Sequence, residues 1–256
     1  MFEYYENWKN PETGRMKKHV YLFDGKQMTG VTTVLGVIAK PALIQWAADM
    51  ACEYVANKFK EIQFPVATDD EIRVWLEEAR TAHTKKKEDA GTKGTDVHAL
   101  VEEYIKTCIE KDGLPIVEAK TGEDPMFYKF RKWAIDNGVR FLASEKKVYS
   151  ESWFVAGTFD FSFEKDGKRF IGDLKTMGRI WDKVPHAQAA AYRKMSVEMG
   201  EKDYDGTCIV NISKPSEKYL SELTESWSYD FETDTKAFEA ALVLYRFLQN
   251  GNKLNN

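Results

Sequence analysis

Two aspartates and a lysine stand out in the stretch GTFDFSFEKDGKRFIGDLKT, residues 157–176. Asp160 and Asp173 each sit inside an apolar run, and Lys175 follows the second acid by two residues. Between the runs, Asp166-Gly167 is the strongest two-residue hairpin signal in the chain, and it sets a register. With those residues as the loop, Phe163 faces Phe170, Phe161 faces Gly172, and Asp160 lands opposite Asp173. Alternation puts Phe159, Phe161, Phe163, Phe170 and Leu174 on one face, the core side, and Asp160, Asp173 and Lys175 on the other. Opposed side chains of this kind have Cβ atoms about 4.5–5.5 Å apart. At an effective dielectric of about 20, two carboxylates about 5 Å apart repel by roughly 3 kcal/mol. A proton on one acid, or a cation between them, removes that repulsion. Hard divalent ions such as Mg²⁺ are held by one or two carboxylates plus waters and substrate phosphates. Lys175 would add a point charge one step from such an ion. A solvent-exposed sheet face with scattered charges is the other account of the same residues. One more acid joins the patch from the preceding strand. With residues 150–153 as a tight connection, Glu145 lies opposite Thr158, which itself faces Lys175.

The elements that must position these groups change character along the chain. HVYLFDGKQMTGVTTVL reads as a hairpin turning at Asp24-Gly25. PALIQWAADMACEYVANKF has helical spacing with Pro41 in its first turn, and residues 69–87 form a helix opened by Asp69-Asp70. The glycine-bearing AGTKGT predicts a break, after which DVHALVEEYIKTCIEK restarts as a helix with Thr95 as N-cap. Residues 124–136 are also helical. Then the period becomes alternating, and VRFLASEKKVYS, SWFVAGTFDFSFE and KRFIGDLKT read as three successive antiparallel strands. PHAQAAAYRKMSVEMG is a helix, YDGTCIVNIS a strand, SWSYDF a further strand, TKAFEAALVLYRFLQN a closing helix, and NGNKLNN a frayed tail. This order predicts an α/β fold, a mixed sheet with helices on its faces. Residues 1–256 are read as a single domain, with 1–120 a mostly helical cap carrying the N-terminal hairpin and 121–256 the sheet core with the metal site.

Composition narrows the class. At 256 residues, 43% hydrophobic and 30% charged, the chain is of ordinary globular type. MFEYYENWKN has no basic region followed by an apolar run, and Lys40 and Pro41 interrupt the most apolar segment, so no membrane partner and a cytoplasmic location are expected. Cys52, Cys108 and Cys208 are far apart and odd in number, which argues against a disulfide framework and a self-contained four-cysteine site. Net charge is −4, yet Lys85-Lys86-Lys87, then Lys129, Arg131 and Lys132, then Lys146-Lys147 form basic clusters. Such clusters can track phosphates, or they can be solvated helix faces.

Asp160, followed by Asp173-Leu174-Lys175, resembles the D…(D/E)xK signature of the PD-(D/E)XK nuclease superfamily. GTKGTDVH upstream resembles the helix histidine of its RecB-like exonuclease branch, and EKKVYSESWFVAGTFD resembles that branch's E…GxxD strands. QAAAY, from Gln188 to Tyr192, matches its QxxxY helix motif, and GVTTVLGVIAKPALIQWA is similar to the N-terminal segment of small phage-type members. The resemblance spans roughly residues 19 to 200, in order. It implies a restriction-endonuclease-like mixed sheet and a metal-dependent DNA exonuclease of phage or bacterial recombination, repair or replication. If the chain is phage-encoded, its location would be the host cytoplasm.

Residue by residue, the resemblance makes Asp160 and Asp173 metal-binding carboxylates for Mg²⁺ or Mn²⁺, with the Leu174 carbonyl as an additional ligand. His98 would be a further ligand, reaching over from the cap. Lys175 would orient the attacking water and stabilise charge on the phosphate, and Glu145 would assist, through a water on the metal or by holding Lys175. Gln188 and Tyr192, one helical turn apart, would contact DNA or buttress the site. The cysteines of the iron–sulfur relatives are absent, so no cluster is expected, and GTF stands where the family name has its proline. DNA is the implied partner, and phage-type relatives suggest a single-strand annealing recombination protein. Taken alone, His98 shares a face with Val101, Ile105 and Cys108 and could be a core histidine, and the alanines around Gln188 and Tyr192 could serve close helix packing. The same site could serve an endonuclease, or a nucleic-acid-binding module that has lost catalysis.

Overall fold

The computed structural model describes residues 1–38, 41–61, 68–118, 122–178, 180, 182–214 and 221–251, with side chains at all of these except 41–43, 85–96 and 250–251. The expected frayed tail therefore falls almost wholly outside the described residues, as do the side chains of Lys85, Lys86 and Lys87. The chain divides into two compact units, Met1–Val37 with Val97–Asn256, and Ile38–Asp96.

In the first unit, Phe2–Lys9 (β1) pairs antiparallel with Met16–Phe23 (β2), Tyr4 against Tyr21 and Trp8 against Lys17. Asp24-Gly25 turns β2 onto the short Lys26–Gln27 (β3), both turn residues having positive φ as a type I′ turn requires. Sequence patterning finds this turn but not β1, whose FEYYENWK has no clean apolar alternation. Thr29–Gly30 (β4) leaves for a second sheet, and VTTVL is a short helix, Val31–Leu35 (α1), rather than a strand.

The second unit holds Pro41–Glu61 (α2) and the first part of Asp69–Glu110 (α3). Thr68 and Glu71 form a capping box: the Glu71 carboxylate accepts from Thr68 N at 2.7 Å, and Thr68 Oγ1 accepts from Glu71 N at 3.3 Å. Phe59 meets Trp75 edge-on, ring centroids 5.5 Å apart. The break expected at AGTKGT is not taken, and Thr95 lies inside α3 instead of capping a new helix. Each glycine costs a helix about 1 kcal/mol relative to alanine. Ending and restarting would instead leave four N–H and four C=O groups to be satisfied elsewhere.

Returning to the first unit, Pro125–Asp136 (α4) starts as expected, with Asp124 accepting from Met126 N and Phe127 N. Arg140–Ser150 (β5), Val155–Lys165 (β6) and Lys168–Lys175 (β7) are the three antiparallel strands. Val184–Glu198 (α5), Gly206–Ile212 (β8), Leu223–Ser228 (β9) and Phe231–Gly251 (α6) complete it. The sheet runs β4-β6-β7-β8-β9 with β5 also on β6. β4–β6 and β7–β8 are parallel, so the sheet is mixed. One of its faces is the core. Phe161, Phe163, Phe170, Leu174, Cys208, Val210 and Ile212 pack against Val101 and Ile105 of α3 and Phe130 and Trp133 of α4. α5, rich in alanine, covers β5–β8 from the opposite side, with Ala189, Ala190 and Ala191 fully buried.

Candidate active site

The β6–β7 ladder has the register that the Asp166-Gly167 turn dictates, from Lys165↔Lys168 through Phe163↔Phe170 to Phe161↔Gly172. No bulge interrupts it. Phe161 lies directly over Gly172, where an added Cβ would come within 2.1 Å of the ring. Beyond that pair the strands part, so the expected Asp160↔Asp173 pair is not formed, and β7 continues along β8 as Asp173↔Ile209 and Lys175↔Asn211. Asp160 stands at the parting. Its Oδ2 accepts the backbone N–H of Leu174 at 2.7 Å, so a side chain replaces a strand partner.

Around this point the predicted acids and lysine converge. Lys175 Nζ donates to Asp173 Oδ1 at 2.9 Å and lies 2.8 Å from Oδ2. Asp173 is 2% exposed, so its carboxylate is held out of water against the Lys175 ammonium. His98, on α3, has Nδ1 3.8 Å from Asp160 Oδ2. Asn211 fixes the chain just past Lys175, since its amide accepts from Met177 N at 3.2 Å and donates to Met177 O at 3.1 Å.

Two further expectations need correction. Glu145 is not level with Thr158, because Lys147 takes that place. Ser144↔Phe161 and Lys146↔Phe159 bracket Glu145 at the level of Asp160, two residues along from the expected position and on the same face. The β5–β6 loop is Glu151–Phe154, one residue later than expected. That shift lets Ser150 Oγ accept from Trp153 N at 3.0 Å and lets the Trp153 ring pack 5.1 Å from Phe238 of α6. Glu145 itself has φ 48, a left-handed backbone uncommon for glutamate. The second correction concerns Phe159. It is absent from the cluster that holds Phe161 and Phe163, and its ring is 6.3 Å from that of Tyr192 on α5. Alternation slips where the ladders on both sides of β6 lose their regular pairing.

Burial and like charge govern the electrostatics. Burial pushes the Asp173 carboxyl up to about 6, against the lowering effect of Lys175. Burial likewise raises Asp160, opposed by Lys175 and by the Leu174 N–H. Glu145 is raised to about 7 by burial, then by Asp160 and by Glu102. Burial pulls Lys175 down, but Asp173 and Asp160 outweigh it and hold the ammonium above its ordinary value. His98 is lowered, mainly by burial. Three raised carboxyls bind protons more tightly folded than unfolded, so they destabilise the fold as pH climbs from about 4 to about 7. Positive charge added at this site would offset that cost.

Do these residues fit a divalent cation? A cavity of about 10 Å³ is bounded by His98, Glu102, Glu145 and Asp160 with Val101, Ile105 and Leu174. That is close to one water-sized sphere, about 10–15 Å³. Two donors on one ion with bonds of about 2.0–2.2 Å can stand no more than about 4.4 Å apart, and the His98–Asp160 separation satisfies this. The Asp173 carboxylate is a further hard ligand. Among the described residues, however, no three His, Cys, Asp or Glu side chains are grouped closely enough to form a ready-made cage. The donor set fits in chemistry and in charge, with the ligands not yet gathered. Sequence reasoning missed Glu102. Its signal was the spacing His98-x₃-Glu102, which puts both on one face of a helix.

Gln188 and Tyr192 do meet: Gln188 Nε2 donates to Tyr192 OH at 2.9 Å. Tyr192 is 3% exposed and packs on Gly157, where a Cβ would come within 2.6 Å of its ring. Of the basic clusters that could track phosphates, several described side chains are engaged. Arg131 is buried in a two-pronged pair with Glu123 at 2.9 Å, Lys132 pairs with Asp136, and Lys146 with Glu201. Cys52, Cys108 and Cys208 carry no disulfide, and among the described residues no helix is long and apolar enough to cross a membrane.

No family model matches the chain, and no curated protein does. Among solved structures, the crystal structure of SSO0001 aligns at 13% identity over 78% of this chain and 86% of that one, with a TM-score of 0.31. A likeness that low carries no argument about fold or function.

Proposed function

We propose that the chain is a metal-dependent deoxyribonuclease, an exonuclease by the order of its motifs, on a restriction-endonuclease-like sheet. The observation that carries this reading is the convergence of Asp160, Asp173, Lys175 and His98 on one point, with the Asp173 carboxylate buried against the Lys175 ammonium. Asp160, Asp173, the Leu174 carbonyl and His98 would hold Mg²⁺ or Mn²⁺. Such an ion, when bound, polarises a phosphate and acidifies a water. Lys175 stays charged at neutral pH and, held by Asp173, faces the position where charge builds on the phosphate. Glu145, with a carboxyl near 7, suits proton exchange at working pH. Buried Tyr192, with Gln188, buttresses the strand that carries Asp160. DNA is the partner this site serves, and a single-strand annealing protein is a further partner suggested by the motif order.

Incubation of the full chain with 5′- and 3′-labelled linear DNA and Mg²⁺ tests the reading. The expected result is stepwise shortening from an end, stopped by EDTA, with circular DNA untouched. Lys175→Met, which keeps the apolar stem, is expected to slow cleavage about 10²–10³-fold, the cost of removing one such electrostatic donor. Cleavage of circles would make the protein an endonuclease. No cleavage with any divalent ion would leave a binding module and end the nuclease reading.

A further inference from the structure

A second cavity, of about 550 Å³, opens on the first unit beside the acidic site. Lys17, Lys18 and His19 of β2 form one wall, and Thr32 and Thr33 at the start of α1 contribute to another. Its floor is Ala156–Gly157–Thr158 of β6 with the Tyr192 ring. The walls are exposed and polar, while the floor is close-packed: Tyr21 OH and Thr158 Oγ1 share a hydrogen bond of 2.9 Å. Gln27 Oε1 accepts from Lys17 Nζ at 2.9 Å, and Tyr4 OH bonds His19 Nδ1 at 2.8 Å, so both groups are held in place. Cations on one side and hydroxyls on another suit an anion carrying several acceptor oxygens.

Position says which anion. Thr158 on the floor is two residues before Asp160 on the same strand, about 6.6 Å at ordinary strand rise. Tyr192 also spans the two places, lining this cleft while the charges of Asp173 and Asp160 act on its hydroxyl. A small acidic cavity suited to a cation thus adjoins a larger basic cleft along β6. A cube of this volume is roughly 8 Å on an edge, room for a nucleotide unit but not for both strands of a duplex, which are separated by a major groove about 12 Å wide. Cations that track the backbone are one of the usual means of gripping an unpaired strand. Arg131, Lys132 and Lys146 elsewhere on the unit are tied up in internal ion pairs, whereas Lys17 and Lys18 stand exposed at the cleft.

We propose that this cleft seats a nucleotide unit of a single DNA strand, its phosphate held by Lys17, Lys18 and the hydroxyls of Thr32 and Thr33, next to the bond to be cut. This rests on the nuclease reading above, but its test does not need cleavage. A short fluorescent single-stranded oligodeoxynucleotide is titrated with the full chain in EDTA, by anisotropy, across a range of KCl. The Lys17→Ala/Lys18→Ala variant is expected to bind at least about tenfold more weakly. The slope of log affinity against log salt should shrink by about 0.7, the contribution of the one phosphate neutralised on a single strand. Thr32→Val/Thr33→Val should weaken binding several-fold with the slope unchanged, which separates lost hydrogen bonds from lost charge. Circular dichroism melting checks that both variants are folded, as expected for exposed side chains, and a blunt duplex of the same length should bind less tightly than the single strand. If the parent binds DNA and neither variant changes affinity or slope, the cleft is not the subsite, and the nuclease reading stands. If the parent neither binds DNA in EDTA nor cleaves it with Mg²⁺, both fall together.

Discussion

On one flank of β6 a two-residue turn ties it to β7, and on the other a four-residue loop ties it to β5. The β6–β7 ladder is regular to the last pair, and it delivers Asp173 and Lys175 already hydrogen-bonded to each other. The β5–β6 ladder shifts between Phe141 and Ala143, and it delivers Glu145 on a left-handed backbone with a carboxyl near 7. Tight turn chemistry thus builds the fixed half of the site, and the looser loop supplies the half that can adjust.

That contrast can be broken, most forcibly on the fixed side. Phe161→Ala removes a fully buried ring that touches Phe130, Trp133, Phe141 and Phe163. It should cost about 3–5 kcal/mol in urea unfolding, typical of a buried phenylalanine. Gly172→Ala drives a methyl into that ring from the facing strand and should cost about 1–3 kcal/mol, as overpacking does. A loss no larger than that of a surface substitution would mean the β6–β7 pair is as pliable as β5–β6.

A smaller effect extends the fixed half across β8. His186 of α5 bridges Thr207 Oγ1 at 2.7 Å and Ser226 Oγ at 2.8 Å. Burial lowers it below its ordinary value, against Asp234. The folded state therefore binds this proton less readily than the unfolded one. The His186 contribution is complete above about pH 6.5 and is lost as pH falls through the lower folded value. Comparison with His186→Gln isolates it, since the raised acids of the site push stability the other way. The melting-temperature gap between parent and variant should narrow from pH 8 to pH 5. The smallest change belongs to the adjustable half. Glu145→Gly relieves a left-handed conformation worth about 1–2 kcal/mol. It also adds about 0.5–1 kcal/mol of chain entropy. A net gain of about 0.5 kcal/mol is expected in metal-free chemical denaturation, and a clear loss would show that Glu145 makes contacts the fold depends on.

The same contrast explains what could be read in advance. Asp-Gly turns specify their own registers, so Phe161↔Gly172 and the Asp24-Gly25 corner were legible without any tertiary information. The Glu151–Phe154 connection was not, because its position is decided by burying Trp153 against Phe238, a partner 85 residues away in sequence. α3 was split at its glycines because local propensity weighs two residues, while ending and restarting the helix would leave eight backbone groups to be satisfied elsewhere. β1 escaped because its pairing with β2, not its own pattern, makes it a strand. Glu102 lay unnoticed for a simpler reason: it matches no motif, and only the folded helix shows that it shares a cavity wall with His98.

The hydrogen bond from Leu174 N to Asp160 Oδ2 has a consequence for spectroscopy. An amide proton donated to a carboxylate shifts its resonance when that carboxylate's charge is drawn elsewhere. Leu174 is therefore a built-in reporter. In a ¹H–¹⁵N spectrum its single cross-peak should follow the occupancy of Asp160 during a titration with Mn²⁺ replaced by diamagnetic Mg²⁺, with no substrate present and no turnover required.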